Sequence, residues 1–229
     1  MSSLDPDLEK RLIEVQRRIA SRVVLQDQFS EEAVAGVDQA FLGDLVISGA
    51  VVLSASFQKL DTAGHIMRAA LPYVPGFLSF REGAPAIKAV RGLDPKPTLL
   101  FVDGCGINHP RMAGLACYVG VILGLPTIGI SKYVLCGEFE VPEKLGEATP
   151  LIYGEKTTGY LLLSRKGCRP IVVAPGHRIS VDSALEVTRR SLDGTKLPKP
   201  CQLAHEHANR IKILCFPVSE ASPSGPGRR

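Results

Sequence analysis

Residues 98–104 read TLLFVDG, and their reading decides the fold. Leu99 to Val102 are apolar without alternation, the pattern of a strand buried on both faces, as in a parallel sheet. Pro95 and Pro97 set the run off from what precedes it. PRMAGLACYVGVILG (110–124) follows as a helix opened by proline. PTIGISK (126–132) is a second buried strand. Strand, helix and strand in this order predict a right-handed parallel crossover, which puts the ends of both strands at one edge of a sheet.

Upstream, AVAGVDQAF (33–41) and LVISGAVVLSASF (45–57) are Val/Ile/Ala-rich runs around the turn signal Gly43-Asp44. They predict an antiparallel hairpin, extended by a third strand over 61–70. SFREGAPAIKAV (79–90) reads as a helix with Gly83 and Pro85 in its first turn or just before it. At the start, Asp5-Pro6 is a cap signal, and Leu8, Leu12, Val15, Ile19 and Val23 recur at helical spacing with arginines mostly elsewhere. Downstream, TTGYLLLS (157–164) and RPIVVAP (169–175) predict a hairpin. SVDSALEVTRRSL (180–192) is a capped helix and QLAHEHANRIK (202–212) a last one. The expected architecture is one α/β domain over 1–215, a hairpin-led mixed sheet flanked by helices. The Ser/Pro/Gly-rich residues 216–229 are predicted to be a disordered tail.

Composition bounds the function loosely. The 229 residues are 45% hydrophobic, ample for a core. A net charge of +4 permits a polyanionic partner without requiring one. Six cysteines without a C-x-x-C pair argue against a zinc ribbon or a thioredoxin-type site. No apolar run is long enough to span a bilayer. Together these predict a cytoplasmic protein with reduced thiols.

Two aspartates stand out by position. Asp38 interrupts the apolar run AGVDQAF, and Asp103 closes LLFVDG. A carboxylate among buried strand residues is costly unless paired or bound to a metal. Taken alone, each serves as well to cap a turn. With Glu82 near a helix start there are three oxygen ligands, a set suited to Mg²⁺ or Mn²⁺ rather than zinc. Around Asp103, Gly104 and Gly106 allow close backbone approach. His109 and Arg111 flank Pro110 at the predicted helix start, where an anion is favoured. Lys132 ends the next strand at the same edge. His177 is expected in a loop. His205 and His207 lie two apart and face different sides of their helix, so only one reaches the site, and periodicity does not say which. Carboxylates with His, Arg and Lys beside them are equipment for cleaving a phosphodiester.

GVDQAF, PYVPGFLSFREG, FVDGCGINHPR and LPTIGISK, in this order and spacing, resemble the endonuclease V family, deoxyinosine 3′-endonucleases. PGHRIS and LPKPCQLAH extend the likeness, which runs from about residue 7 to 212. The resemblance implies a ribonuclease H-like fold and a Mg²⁺-dependent nuclease that nicks DNA on the 3′ side of deoxyinosine; the expected state is a monomer. It further implies that Asp38, Glu82 and Asp103 bind the metal, with His205 beside it and Lys132 near the scissile phosphate. Tyr73, within Pro72-Tyr73-Val74-Pro75, matches the wedge that fills the gap left by the displaced base. Leu78, Gly104, Gly106 and His109 match positions around the base pocket. Cys105 departs from the family pattern, where a larger polar residue is expected. Two alternatives stand beside this reading: cleavage of inosine-containing RNA, and a non-catalytic nucleic-acid-binding module.

Overall fold

The computed structural model describes residues 4–216. Asp5 caps the first helix, α1 (Pro6–Ala20), its Oδ1 accepting from the amides of Asp7 and Leu8 at 3.1 and 3.0 Å. Three long antiparallel strands follow: β1 (Ala33–Leu42), β2 (Leu45–Ser54) and β3 (Lys59–Arg68). Next come α2 (Leu78–Arg91), β4 (Leu99–Asp103), α3 (Leu115–Leu123) and β5 (Thr127–Ser131). An antiparallel wing of β6 (Ala148–Tyr153), β7 (Lys156–Leu162) and β8 (Ile171–His177) precedes α4 (Val181–Arg190) and α5 (Lys199–Cys215).

The eight strands form one sheet in the order β3-β2-β1-β4-β5-β8-β7-β6. β1, β4 and β5 run parallel to one another, and every other pairing is antiparallel. This is the mixed, ribonuclease H-like sheet flanked by helices that TLLFVDG and the hairpin predict. Alternation along β1 divides the core. Ala33, Ala35 and Val37 join α2 and α3 on one face, while Val34 joins Leu99, Phe101, Ile128 and Leu185 on the other. α4 and α5 cover that second face. Two glycines let α5 lie close: a Cβ on Gly36 would sit 2.0 Å from the Pro200 carbonyl oxygen, and one on Gly49 2.4 Å from the Ala208 amide.

Several expectations need correction. Gly83 and Pro85 lie well inside α2, not at its entry. The packing of α2 on α3 and on β1–β3 outweighs the cost of a proline that cannot donate a helical bond. Gly83 has a further reason to be glycine, since a Cβ there would meet the Tyr118 ring at 2.6 Å. α3 starts at Leu115 rather than Pro110, because Met112 takes a left-handed φ of 50° and Gly114 is extended. The stripe expected on α1 is only partly buried: Leu8 and Val15 are exposed, and contact with the body runs through Gln16 and Ile19. β6 escapes sequence reading because Pro150 interrupts it, which an edge strand tolerates. The predicted tail lies outside the described residues, apart from Phe216.

Candidate active site

The parallel pairing of β1 with β4 sets Val37 beside Val102, so Asp38 and Asp103 emerge next to each other at one edge of the sheet. Asp38 shares a face of β1 with Gly36, the face on which α5 lies close. That closeness brings His205 onto Asp38: the imidazole Nδ1 lies 2.7 Å from Oδ2. Asp38 Oδ1 accepts from the Gln39 amide at 2.6 Å. The Asn209 amide lies 3.2 Å from His205 Nε2, so the proton sits on Nδ1 and is donated to Asp38. Glu82 arrives from α2, in the opposite layer. Lys132 follows β5 directly, its Nζ 3.5 Å from Asp103 Oδ2. Thus five residues from five segments meet at one edge, and His205 rather than His207 is the histidine there. His207 sits beside Lys59, Thr62 and Arg210 on the far side of α5.

The electrostatics are those of an acidic cluster only partly offset by its basic neighbours. Burial, followed by the charge of Asp103, pushes the Glu82 carboxyl up to about 8 despite neighbouring Arg81. Burial and then the charge of Asp38 also raise Asp103, against the pull of Lys132. Three carboxylates without a thiolate are the donors a hard divalent cation takes, and a cation among them would relieve both shifts. Among the described residues no group of three acidic, histidine or cysteine side chains is closed up as a ligand cage. The donors fit such a cation in chemistry and form an open set.

Above the carboxylates is a cavity of about 350 Å³, in the range of small-ligand pockets. Asp38, Glu82, Asp103, Lys132 and His205 line it, as do Tyr73, Pro75, Leu78, Gly104 and His109. Cys105 is on the wall too, but burial raises its thiol, so it contributes shape rather than a thiolate. Pro72 and Val74 flank Tyr73 without lining the cavity. Gly106 faces elsewhere: a Cβ there would meet the Pro175 carbonyl oxygen at 2.2 Å, so it serves packing on β8. Arg111 does not sit at a helix start, since α3 begins at Leu115. Two amides at the head of α3 are already committed, Gly114 to the Gly106 carbonyl and Ala116 to that of Cys105, and Arg111 turns to Gln16 and Gly76 instead. His177 ends β8 and is buried, its Nδ1 accepting from the Val24 amide at 3.2 Å.

Two residues of the wall have no obvious sequence signal. Gln39 Nε2 and Ser79 Oγ are buried and have no hydrogen-bond partner among the described residues. Ser79 lies one turn before Glu82 and shares its face. A glutamine following Asp38 in an otherwise apolar strand was the only hint available. Polar groups buried in a cavity wall without protein partners are open to bonding by water or a ligand. Among the described residues no helix is long and apolar enough to cross a membrane.

Comparison with known proteins points to one family. The endonuclease V family model matches residues 17–206. Endonuclease V of Archaeoglobus fulgidus is 43% identical over 222 residues, covering 95% of this chain and 99% of its own. The crystal structure of endonuclease V from Streptomyces avermitilis superposes with a TM-score of 0.84 at 33% identity, over 90% of this chain and 94% of that one. Endonuclease V of Ciona intestinalis, solved with a 24mer DNA containing an inosine followed by a ribo-adenosine, shares the fold at 22% identity. Its TM-score is 0.78, over 91% of this chain and 99% of its own. With the motifs, the fold and near full-length likeness in agreement, the chain belongs to the endonuclease V family of phosphodiester-cleaving nucleases.

Proposed function

We propose that this chain is a DNA repair enzyme that nicks deoxyinosine-containing DNA, using Mg²⁺, with Mn²⁺ able to substitute. The cut falls at the second phosphodiester bond 3′ to the lesion and leaves a 3′-hydroxyl and a 5′-phosphate. The carrying observation is that one cavity holds the acidic cluster at its base and Tyr73, 66% exposed, at its rim. Lesion capture and strand cleavage then share one site. The inosine-containing DNA bound by the Ciona relative supports the choice of substrate. The chain acts as a monomer in the cytoplasm, a compartment in keeping with its six free cysteines.

Asp38, Asp103 and Glu82 would hold the cation, which supplies a Lewis acid and lowers the pKa of water. The chain's own residues do the rest. Lys132 places a positive charge beside Asp103, where it offsets charge gathering on the phosphate. His205 is fixed by Asp38 through Nδ1, which leaves Nε2 as the atom that takes a proton once Asn209 moves aside. The attacking water forms its bond to phosphorus opposite the 3′-oxygen. The P–O3′ bond breaks and the oxygen leaves with a proton. A hypoxanthine base pairs imperfectly, so it costs less to extrude than a normal base. The unpaired Gln39 amide and Ser79 hydroxyl offer bonds within the cavity, and the apolar wall at Leu78 offers a surface for the base.

The test is a nicking assay with Mg²⁺ or Mn²⁺ on matched strands carrying deoxyinosine, inosine or neither. Nicking of the deoxyinosine strand alone, or far faster than of the unmodified one, is the expected result. Absence of nicking with either ion would overturn the proposal. Because the Ciona complex holds a ribo-adenosine after its inosine, RNA is the second reading. Faster cleavage of the inosine RNA strand would make it the first.

A further inference from the structure

Gln16 is a buried amide on a helix whose neighbouring positions are mostly exposed, only 1% accessible to solvent. Its Nε2 donates to the carbonyl of Gly76 at 2.7 Å. Two more donors reach the same oxygen. Arg111 Nη2 lies at 2.9 Å, and His109 Nε2 at 3.0 Å. The Arg111 amide donates to His109 Nδ1 at 3.2 Å, which puts the ring proton on Nε2, where it can be given to Gly76. Burial first, with Arg111 acting in the same direction, lowers His109 to about 4 and keeps the ring neutral for this role. Arg111 Nε donates to Gln16 Oε1, and its guanidinium lies over the Phe77 ring, 4.8 Å from the centroid. A carbonyl oxygen has two lone pairs, so three donors on it are more than the backbone requires.

Gly76 closes the loop that carries Tyr73. The other end is held as well: Arg81 Nη1 donates to the Leu71 carbonyl at 2.8 Å while its guanidinium lies over Phe41. Between these two points Pro72 and Pro75 restrict the chain, and Tyr73 stands exposed. Gly76 itself has a φ of 80°, and a Cβ there would come within 3.2 Å of Arg111 Nη2.

We propose that Gln16 and Arg111 are positioning residues for recognition: by gripping the Gly76 carbonyl they set where Tyr73 stands over the cavity, and so how well the enzyme separates a deoxyinosine strand from an unmodified one. This rests on the functional reading above. Neither residue lines the cavity or lies near the carboxylates, so the effect belongs in binding and not in the chemical step.

The test uses Gln16→Leu, which keeps the volume and removes both hydrogen bonds, with Gln16→Met as a second variant should the first fail to fold. Affinities for deoxyinosine-containing and unmodified strands are measured alongside the nicking rate at saturating enzyme. Losing a hydrogen bond of this kind is expected to weaken lesion binding about five- to tenfold. Binding of the unmodified strand, and the saturated rate, should stay within about twofold. In a Tyr73→Ala background, Gln16→Leu should add nothing, because both act through one loop. Equal losses on both strands, or multiplying losses in the double variant, would overturn the proposal. Should the unaltered protein neither prefer nor nick the deoxyinosine strand, the functional reading has failed. The clamp would then be judged by whether Gln16→Leu increases protease cleavage within residues 71–77.

Discussion

The carboxylates at the base of the cavity and the tyrosine at its rim are held in place by different means. Asp38 and Asp103 hang from neighbouring parallel strands, and Glu82 from a helix packed on the sheet, so backbone ladders and core contacts fix them. Tyr73 sits in a loop whose two ends are gripped by the side chains of Arg81, Gln16, His109 and Arg111. Chemistry needs fixed positions, whereas reading a base needs a surface-exposed loop that is stiff without being buried. One consequence is that changes at the base should alter rate with little effect on binding. Changes at the rim should do the reverse.

The largest effect is expected at the base. Asp103→Asn should slow nicking by on the order of 10²–10³-fold or more while leaving affinity for the deoxyinosine strand nearly unchanged. Gel assay and fluorescence anisotropy on the same preparation give the two numbers. Normal nicking would remove Asp103 from the metal set. A second variant tests whether backbone packing places the base. Gly36→Ala forces a Cβ against the Pro200 carbonyl and should cost about 1–3 kcal/mol of stability in a denaturant titration. It should also slow nicking by moving His205 off Asp38, so an unaffected rate would show that α5 need not lie so close.

At the rim, Tyr73→Ala should reduce lesion affinity about tenfold, as expected for one lost stacking contact. Because the side chain is exposed, the melting temperature should hardly move. A loss of rate at saturation instead of affinity would erase the distinction between rim and base. A last test concerns pH dependence without a divalent cation. Glu82 keeps its proton in the folded protein up to about pH 8 but releases it near its ordinary 4.5 when unfolded. Between those values the native state binds more protons, so stability should fall as pH rises. Mg²⁺ should therefore raise the melting temperature more at pH 8 than at pH 5. Stability that rises across that window in chelated buffer would show that burial of Glu82 is not the controlling term.

Much of the molecule follows from local pattern. The apolar run of TLLFVDG, the hairpin around Gly43-Asp44 and the caps at Asp5 and Ser180 each rest on neighbours in sequence, and each appears where it was expected. The positions of Asp38 and Asp103 were marked too, because a charge in an apolar strand stands out without any knowledge of its partners. Pro85 inside α2 and the late start of α3 are not legible in local pattern, since contacts from distant segments outweigh local propensity. Gln16 shows the limit most clearly. A glutamine on an amphipathic helix looks like solvated surface until the loop at Gly76 is folded beneath it. The choice of His205 over His207 needed the register of α5 over Gly36. The amino-acid sequence alone singled out Asp38 and Asp103 as candidates for the chemistry, because charge and burial conflict within an apolar strand. Which of them meet, and what holds Tyr73 above them, depended on contacts between residues far apart in the chain, and only the tertiary structure decides those.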